Sequence, residues 1–419
     1  MMKPYSAVVL SVVAACSSSD GVTAGDVESA ALAIAPERLK AHIDTLAADG
    51  MGGRICGSPG HDAARDYVRD QLAAAGVEPF GDDGSFVFSY AATPFASHYQ
   101  RQADGSIVPN ATDRCQDLVG ILRGSERPDE YVVLVAHYDH LGVTSDGTVF
   151  NGAFDDGSGT AGLLEVARAL VAEGVRPKRS IVFLVSDQEE QGLVGAKEWL
   201  DRPPMPLDKI VVGIAADPLG RGLLPDFAPI VLSGAEQAPA LSTFLRATRD
   251  LSDHPLGFIH RMMIPVFGSD HDQFFAHGVP AVWLVSPGMS FYHTVDDDAA
   301  TIDYAVLRDV SRYWLRLAMR IADGDERFTY EGAAELDLQH AQDTKDLLVG
   351  VTGSQSITAE ERTQVQGYIA DLDRVLASDW SAIDSPITFF VDALGFVAFT
   401  LPRLHPGPIP PAFPAAATP

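Results

Sequence analysis

The feature that most constrains this chain is a series of short, unbroken apolar runs in its middle, most of them followed within a few residues by histidine or acid. Residues 118–122, 131–136, 180–185, 210–216, 229–232 and 281–286 are dominated by apolar side chains, and several lack the in-out alternation of a half-exposed strand. A strand apolar on both sides is buried on both faces, as in a parallel sheet covered by helices. Helical patterns fill the intervals, at 159–173, 192–201, 237–251 and 305–322. The alternation predicts an α/β fold, a three-layer α/β/α sandwich with a mixed, mainly parallel central sheet.

The flanks read differently. From Pro36 the residues Leu39, Ile43 and Leu46 recur at helical spacing, and a second helix follows Pro59, with Gly52-Gly53-Arg54 as the turn between them. Residues 79–114 combine short β-like runs with turn formers and read as loop and hairpin. Beyond Arg327 a helix is expected over 358–377, where Thr358 precedes Glu360 and Glu361. The apolar run 387–401 is interrupted by Asp392 and is shorter than a membrane span, so it reads as a docking segment. The expected organisation is a leader over 1–16, a polar tether over 17–35, a catalytic domain over 36–325, a helical extension over 326–402 and a disordered Pro/Ala-rich tail over 403–419.

The formal net charge of -27 over 419 residues opposes any polyanion, because an acidic surface gains nothing from counterion release. Nucleic acid is thereby excluded as a partner, and solubility accounts for most of the charge. Lys3, the apolar stretch 7–13 and the small residues before Cys16 form an export signal. Val13-Ala14-Ala15-Cys16 resembles a bacterial lipobox, which implies an acylated Cys16 and membrane contact only through that N-terminal lipid. The chain is then expected at the cell envelope, on the outer membrane or the periplasmic face. An ordinary cleaved secretion signal, or a start codon placed too early, gives the same pattern. With Cys16 set aside, Cys56 and Cys115 remain as candidates for one disulfide in an oxidising compartment.

Four strand candidates lead into residues able to bind a metal. Residues 131–136 run into His137, Asp139 and His140; 180–185 into Asp187, Glu189 and Glu190; 210–216 into Asp217; and 281–286 lead towards His293. In open α/β sheets ligands bind beyond the carboxyl ends of the strands, so these positions converge at one edge. Asp155-Asp156, ahead of Gly157 and Gly159, opens a helix at the same edge. Singly, each residue has an ordinary explanation as a helix cap, a surface imidazole or a solvated acid. Together, two histidines and several carboxylates without thiolate suit catalytic rather than structural zinc.

The motifs His137-Tyr138-Asp139-His140-Leu141-Gly142, Asn151 to Gly159, Glu189-Glu190-Gln191-Gly192, Ser269-Asp270-His271 and Tyr292-His293-Thr294 resemble, in order, those of the bacterial leucine aminopeptidase family. That superfamily of zinc exopeptidases also includes glutamate carboxypeptidase and the transferrin receptor. The resemblance spans about residues 36–322 and implies two zinc ions per chain, peptide substrates and hydrolysis of N-terminal residues. It implies one ion on His137, Asp155 and Asp217 and the other on Asp155, Glu190 and His293, with Asp155 bridging. It makes Glu189 the general base and Asp139 the carboxylate behind His137, and it implies a cis peptide between Asp155 and Asp156. Phe154 stands where many relatives carry aspartate, and Pro218 stands where methionine is usual after the ligand Asp217. A single-zinc glutaminyl cyclase and a non-enzymatic binding protein share the fold. The number of bound ions separates the first, and loss of ligands would mark the second.

Overall fold

The structure, a computed structural model, describes residues 23–92, 98–110, 114–261, 268–332 and 334–404. The export signal with Cys16, and all of the Pro/Ala-rich tail after residue 404, lie outside the described residues.

The strands are β1 (Glu78–Pro79), β2 (Val87–Ala91), β3 (Tyr99–Arg101), β4 (Ile107–Pro109), β5 (Arg114–Leu122), β6 (Arg127–His137), β7 (Arg179–Ser186), β8 (Ile210–Ala216), β9 (Ile230–Ser233), β10 (Leu256–Ile259) and β11 (Ala281–Val285). The main sheet runs β1-β5-β7-β6-β8-β11-β9-β10, β2 also pairs with β5, and β3 with β4 forms a separate hairpin. Its middle strands β7, β6, β8 and β11 are mutually parallel, while β5 and β9 join them antiparallel. β7, β8 and β11 are buried along their whole length and β6 from Tyr131 onward, as their unbroken apolar runs require.

The helices are α1 (Ala24–Leu32), α2 (Pro36–Leu46), α3 (Pro59–Ala75), α4 (Gly157–Ala172), α5 (Val194–Asp201), α6 (Pro239–Arg246), α7 (His271–Ala276), α8 (Tyr304–Asp323), α9 (Leu338–Gly353), α10 (Ala359–Ala377) and α11 (Pro386–Gly395). One face of the sheet offers Val132, Leu134, Ala136 and Phe183 to α4, α8 and the N-terminal helices. The opposite face offers Val133, Val135 and Leu184 to a layer containing Trp199 of α5 and Phe274 of α7. This is the expected three-layer α/β sandwich.

Three expectations need correction. The tether expected over 17–35 is interrupted by α1, where Thr23 Oγ1 accepts the Asp26 N–H at 3.2 Å and the Asp26 carboxylate accepts the Thr23 N–H at 2.8 Å. Ala30 and Ala31 are buried, and Arg312 of α8 donates to the Ala31 and Leu32 carbonyls, so α1 belongs to the packed body. The helix expected over 237–251 is cut to α6 with a tight turn on either side, because Pro239 has no N–H for an earlier turn and serves as an N-terminal residue. The apolar C-terminal run is longer than expected: α11 continues without a break through Phe396–Thr400 to Leu404. By length and composition those residues are sufficient to cross a membrane, yet they dock on α10 and on the loop before His293.

Cys56, ahead of α3, and Cys115, on β5, form a disulfide with a Cα–Cα distance of 6.0 Å. It ties the N-terminal helical layer to the antiparallel side of the sheet.

Candidate metal centre

The carboxyl ends of β6, β7, β8 and β11 face one crevice, and each of the first three delivers its acids or histidines there directly. His137 is the last residue of β6 and pairs in register with Ser186 at the end of β7. Asp217 directly follows β8 and is joined to Pro218 by a cis peptide. Asp156 caps α4: its Oδ1 accepts the Gly159 N–H at 2.7 Å and its Oδ2 the His137 N–H at 3.1 Å, which locks helix to strand. The Asp155–Asp156 peptide is cis. Gly159 has to be glycine, since a Cβ there would lie 2.0 Å from the Ala216 carbonyl oxygen.

The side chains named from sequence come together in two groups that share Asp155. His137 Nε2 lies 3.3 Å from Asp155 Oδ1 and 3.4 Å from Asp217 Oδ1. His293 Nε2 lies 3.0 Å from Asp155 Oδ2 and 2.9 Å from Glu190 Oε2. Glu189 approaches the first group, with Oε2 3.9 Å from His137 Nε2. Asp139 Oδ1 lies 3.4 Å from His137 Nδ1 and also accepts the Glu189 N–H at 3.1 Å, so one carboxylate orients both the His137 imidazole and the Glu189 backbone.

The donor set fits a cation. His137 Nε2 and Asp217 Oδ1 are buried and complete no hydrogen bond with any described residue. Burial pushes the carboxyls of Asp139, Asp156, Glu189 and Asp217 up, and neighbouring acids add to the effect in each case. Asp270, which accepts from Ser186 Oγ, is raised to about 7, again chiefly by burial. Burial works against ionisation at Asp155 and Glu190 as well, but their histidine contacts hold both below the usual carboxylate range. His293 is raised to about 10, because its contacts with Asp155 and Glu190 outweigh its burial. So many acids in one buried pocket cannot all ionise without added positive charge, and mixed imidazole and carboxylate donors suit zinc.

Other residues that complete the site had no assigned role in the sequence. His140, fully buried, sits with Nδ1 2.6 Å from Glu190 Oε1 and is grouped with Asp155 and Glu190. It lay within a quoted motif, but nothing in the spacing separates a second histidine of this kind from a surface one. Asp297 accepts the Phe154 and Asp155 N–H groups at 2.9 and 3.1 Å and so fixes Asp155, shared by the two groups, from 142 positions away. Arg54, fully buried, donates to the carbonyls of Leu46, Tyr138, Asn151 and Gly152, and this clamps the turn after β6 to the turn before Asp155. Gly53 beside it admits the chain from that turn, since a Cβ would lie 1.9 Å from the Gly142 oxygen. Asp187, counted among the candidates, turns away from the crevice to His61 and the Tyr138 hydroxyl.

Residues 117–318 match the family model of Peptidase family M28. A glutamate carboxypeptidase 2 homolog of Caenorhabditis elegans is 31% identical over 250 residues, which are 51% of this chain and 31% of that protein. The chain thus spans about a third of the length of that relative. A probable zinc metalloprotease of Leptosphaeria maculans is 28% identical over 271 residues, covering 57% of this chain and 59% of that protein. Among solved structures, the LapA aminopeptidase of Legionella pneumophila aligns with a TM-score of 0.54 at 17% identity, over 78% of this chain and 80% of that one, a likeness of fold. The family match, the parallel middle of the sheet and every residue of the two candidate metal-binding groups fall on one stretch, residues 117–318, and over that stretch the chain is similar to Peptidase family M28.

Proposed function

We propose that this chain is a zinc aminopeptidase that removes N-terminal residues from peptides at a two-ion site. The observation that carries the reading is the Asp155 carboxylate, with one oxygen 3.3 Å from His137 Nε2 and the other 3.0 Å from His293 Nε2. His137, Asp155 and Asp217 would hold one ion, and Asp155, Glu190 and His293 the other. When bound, such ions polarise a scissile carbonyl and lower the pKa of water.

The chain's own residues supply the proton traffic and the orientation. Among the described residues the Glu189 carboxylate makes no hydrogen bond, unlike that of Glu190, so it is available to substrate and water. Burial raises its proton affinity, which suits a group that takes a proton from the attacking water and passes it to the leaving amine. Asp139 positions Glu189 through the backbone and His137 through its ring. The excess of carboxylates in the crevice favours a cationic α-amine, which supports an exopeptidase acting at the N-terminus. The names of the LapA aminopeptidase and of the fungal zinc metalloprotease support the same chemistry. A disulfide at Cys56–Cys115 supports an oxidising compartment and, with the lipobox-like leader, an envelope location.

The test is metal analysis of the purified protein together with aminoacyl p-nitroanilides carrying free or acetylated amines. The reading expects two zinc ions per chain and turnover of the free amines alone. One ion with cyclisation of N-terminal glutamine and no hydrolysis would favour a glutaminyl cyclase. No ion and no turnover would favour a binding protein.

A further inference from the structure

Three of the loops that carry candidate ligands meet at one side chain, Arg221, which has no part in the proposed proton traffic. It lies on the turn after Asp217, and its guanidinium carbon sits 5.5 Å from the ring centre of Phe154 and 4.3 Å from that of Phe291. Phe154 directly precedes Asp155, and Phe291 stands two residues before His293. Arg221 Nη2 also donates to Ser290 Oγ at 2.9 Å. The two backbones touch beside it, since a Cβ on Gly288 would lie 2.2 Å from the Gly222 carbonyl oxygen. Arg221 is only 9% exposed, and its Nη1 is buried without a hydrogen bond to any described residue. Burial pulls its pKa down to about 10 against the opposing effect of the Asp297 carboxylate, so it remains a cation at neutral pH. A cation kept from water by two aromatic rings and one hydroxyl attaches the segments that supply them to one another.

We propose that Arg221 is a positioning residue for the ion at Asp155, Glu190 and His293: by gripping Phe154 and Phe291 together it holds the His293 loop against Asp155. The proposal rests on the two-ion reading. His293 is the candidate ligand that most needs such support. His137 ends a strand, Asp217 directly follows one, and Asp155 is fixed through its N–H by Asp297. His293 lies on a loop, and its side chain is 37% exposed, where those of the other four candidates are at most 7% exposed. The Met289 N–H donates to the Ala398 carbonyl at 3.1 Å, and Arg403 Nε donates to the Ser290 carbonyl at 3.3 Å. Those two bonds tie the loop to the C-terminal segment, which carries no candidate ligand, whereas Arg221 ties it to the metal centre.

The test is calorimetric titration of the chelator-stripped protein with zinc, paired with amide hydrogen exchange of the metal-free protein. The proteins compared are the wild type, Arg221→Met, Arg221→Lys and Phe291→Leu. The wild type should take two ions. In Arg221→Met and Phe291→Leu one ion should bind as in the wild type, while the other, the one that His293→Ala loses, should weaken about 10- to 100-fold, the scale for lost supports of a metal-bound histidine. Arg221→Lys should fall between, because its compact ammonium keeps the charge but cannot cover both rings. Exchange protection should be lost across 288–294 in Arg221→Met and Phe291→Leu and kept in β6 and β7. Phe291→Leu removes only the ring under the guanidinium, so it carries the same test should Arg221→Met fail to fold. Both ions bound as in the wild type, or both weakened equally with protection lost throughout the sheet, would overturn the proposal. If the wild type itself binds fewer than two ions, the two-ion reading falls and exchange alone decides. Protection lost only over 288–294 then upholds the grip of Arg221 on that loop, and unchanged protection overturns it.

Discussion

The carboxylate of Asp139 accepts the backbone N–H of Glu189 at 3.1 Å while standing 3.4 Å behind the ring of His137. The backbone of Glu189, the proposed base, and the ring of His137, a proposed ligand, thus meet one side chain on the turn after β6. In Asp139→Asn the amide oxygen can still accept that N–H, but the negative charge behind the imidazole is gone. Zinc affinity, read by competition with a chelator, or kcat should fall about 10- to 100-fold, as for other partners of metal-bound histidine. Unchanged values of both would remove Asp139 from the account.

Asp155 is the one acid that faces both histidines, His137 and His293. Asp155→Ala should lose both ions, whereas His137→Ala and His293→Ala should each weaken one site preferentially. Metal stoichiometry under increasing chelator checks this, and equal partial loss in all three variants would contradict the bridging arrangement.

Glu165 of α4 is a separate buried acid that joins α4 to α2. It accepts from Arg38 at 3.1 Å and from Arg168 at 2.8 Å, with His42 at 3.5 Å. Burial opposes its ionisation, but His42, Arg168 and Arg38 hold its pKa at about 2. A folded value below the unfolded one means that the stabilisation is full above the unfolded carboxylate pKa and is lost as pH falls through about 2. Glu165→Gln should therefore cost roughly 2–3 kcal/mol near neutral pH, with the half-exposed Arg38 keeping the figure below the full shift. The gap should narrow between pH 4 and pH 2, on the scale of that shift. Urea denaturation of both proteins across this range measures it, and a gap independent of pH would contradict the network.

The parts of the fold that were legible in the sequence are those whose environment is uniform along the element. β6, β7 and β8 are buried on both faces, so their apolar runs do not break, and the acids that follow them mark the sheet edge. The candidate ligands could be named for the same reason and because their motifs occur in family order. β10 escaped notice because Leu256–Ile259 is four residues long and set among turn formers. α9 escaped because Gly350 and Gly353 blur its period, although Asp337 caps it and His340, Thr344, Leu347, Leu348 and Val351 are buried. Arg54, His140 and Asp297 could not be assigned roles because these depend on contacts from distant parts of the chain. The run near residue 390 was readable as a docking segment, but its seat beside Asp217 depends on the loop at Met289.

The account stands most directly on the division of labour between Glu189 and Glu190. Glu190 contacts His293 and His140, whereas the Glu189 carboxylate is held by no hydrogen bond among the described residues. The measurement is zinc content and steady-state kinetics of Glu189→Gln and Glu190→Gln prepared side by side. Glu189→Gln keeps the shape of the site but cannot accept a proton, so it should retain zinc and lose about 100- to 10,000-fold in kcat with little change in KM. Glu190→Gln should lose metal affinity together with activity. Zinc lost from Glu189→Gln but kept by Glu190→Gln would reverse the two roles, and near-normal activity in both with zinc retained would place the chemistry elsewhere in the molecule.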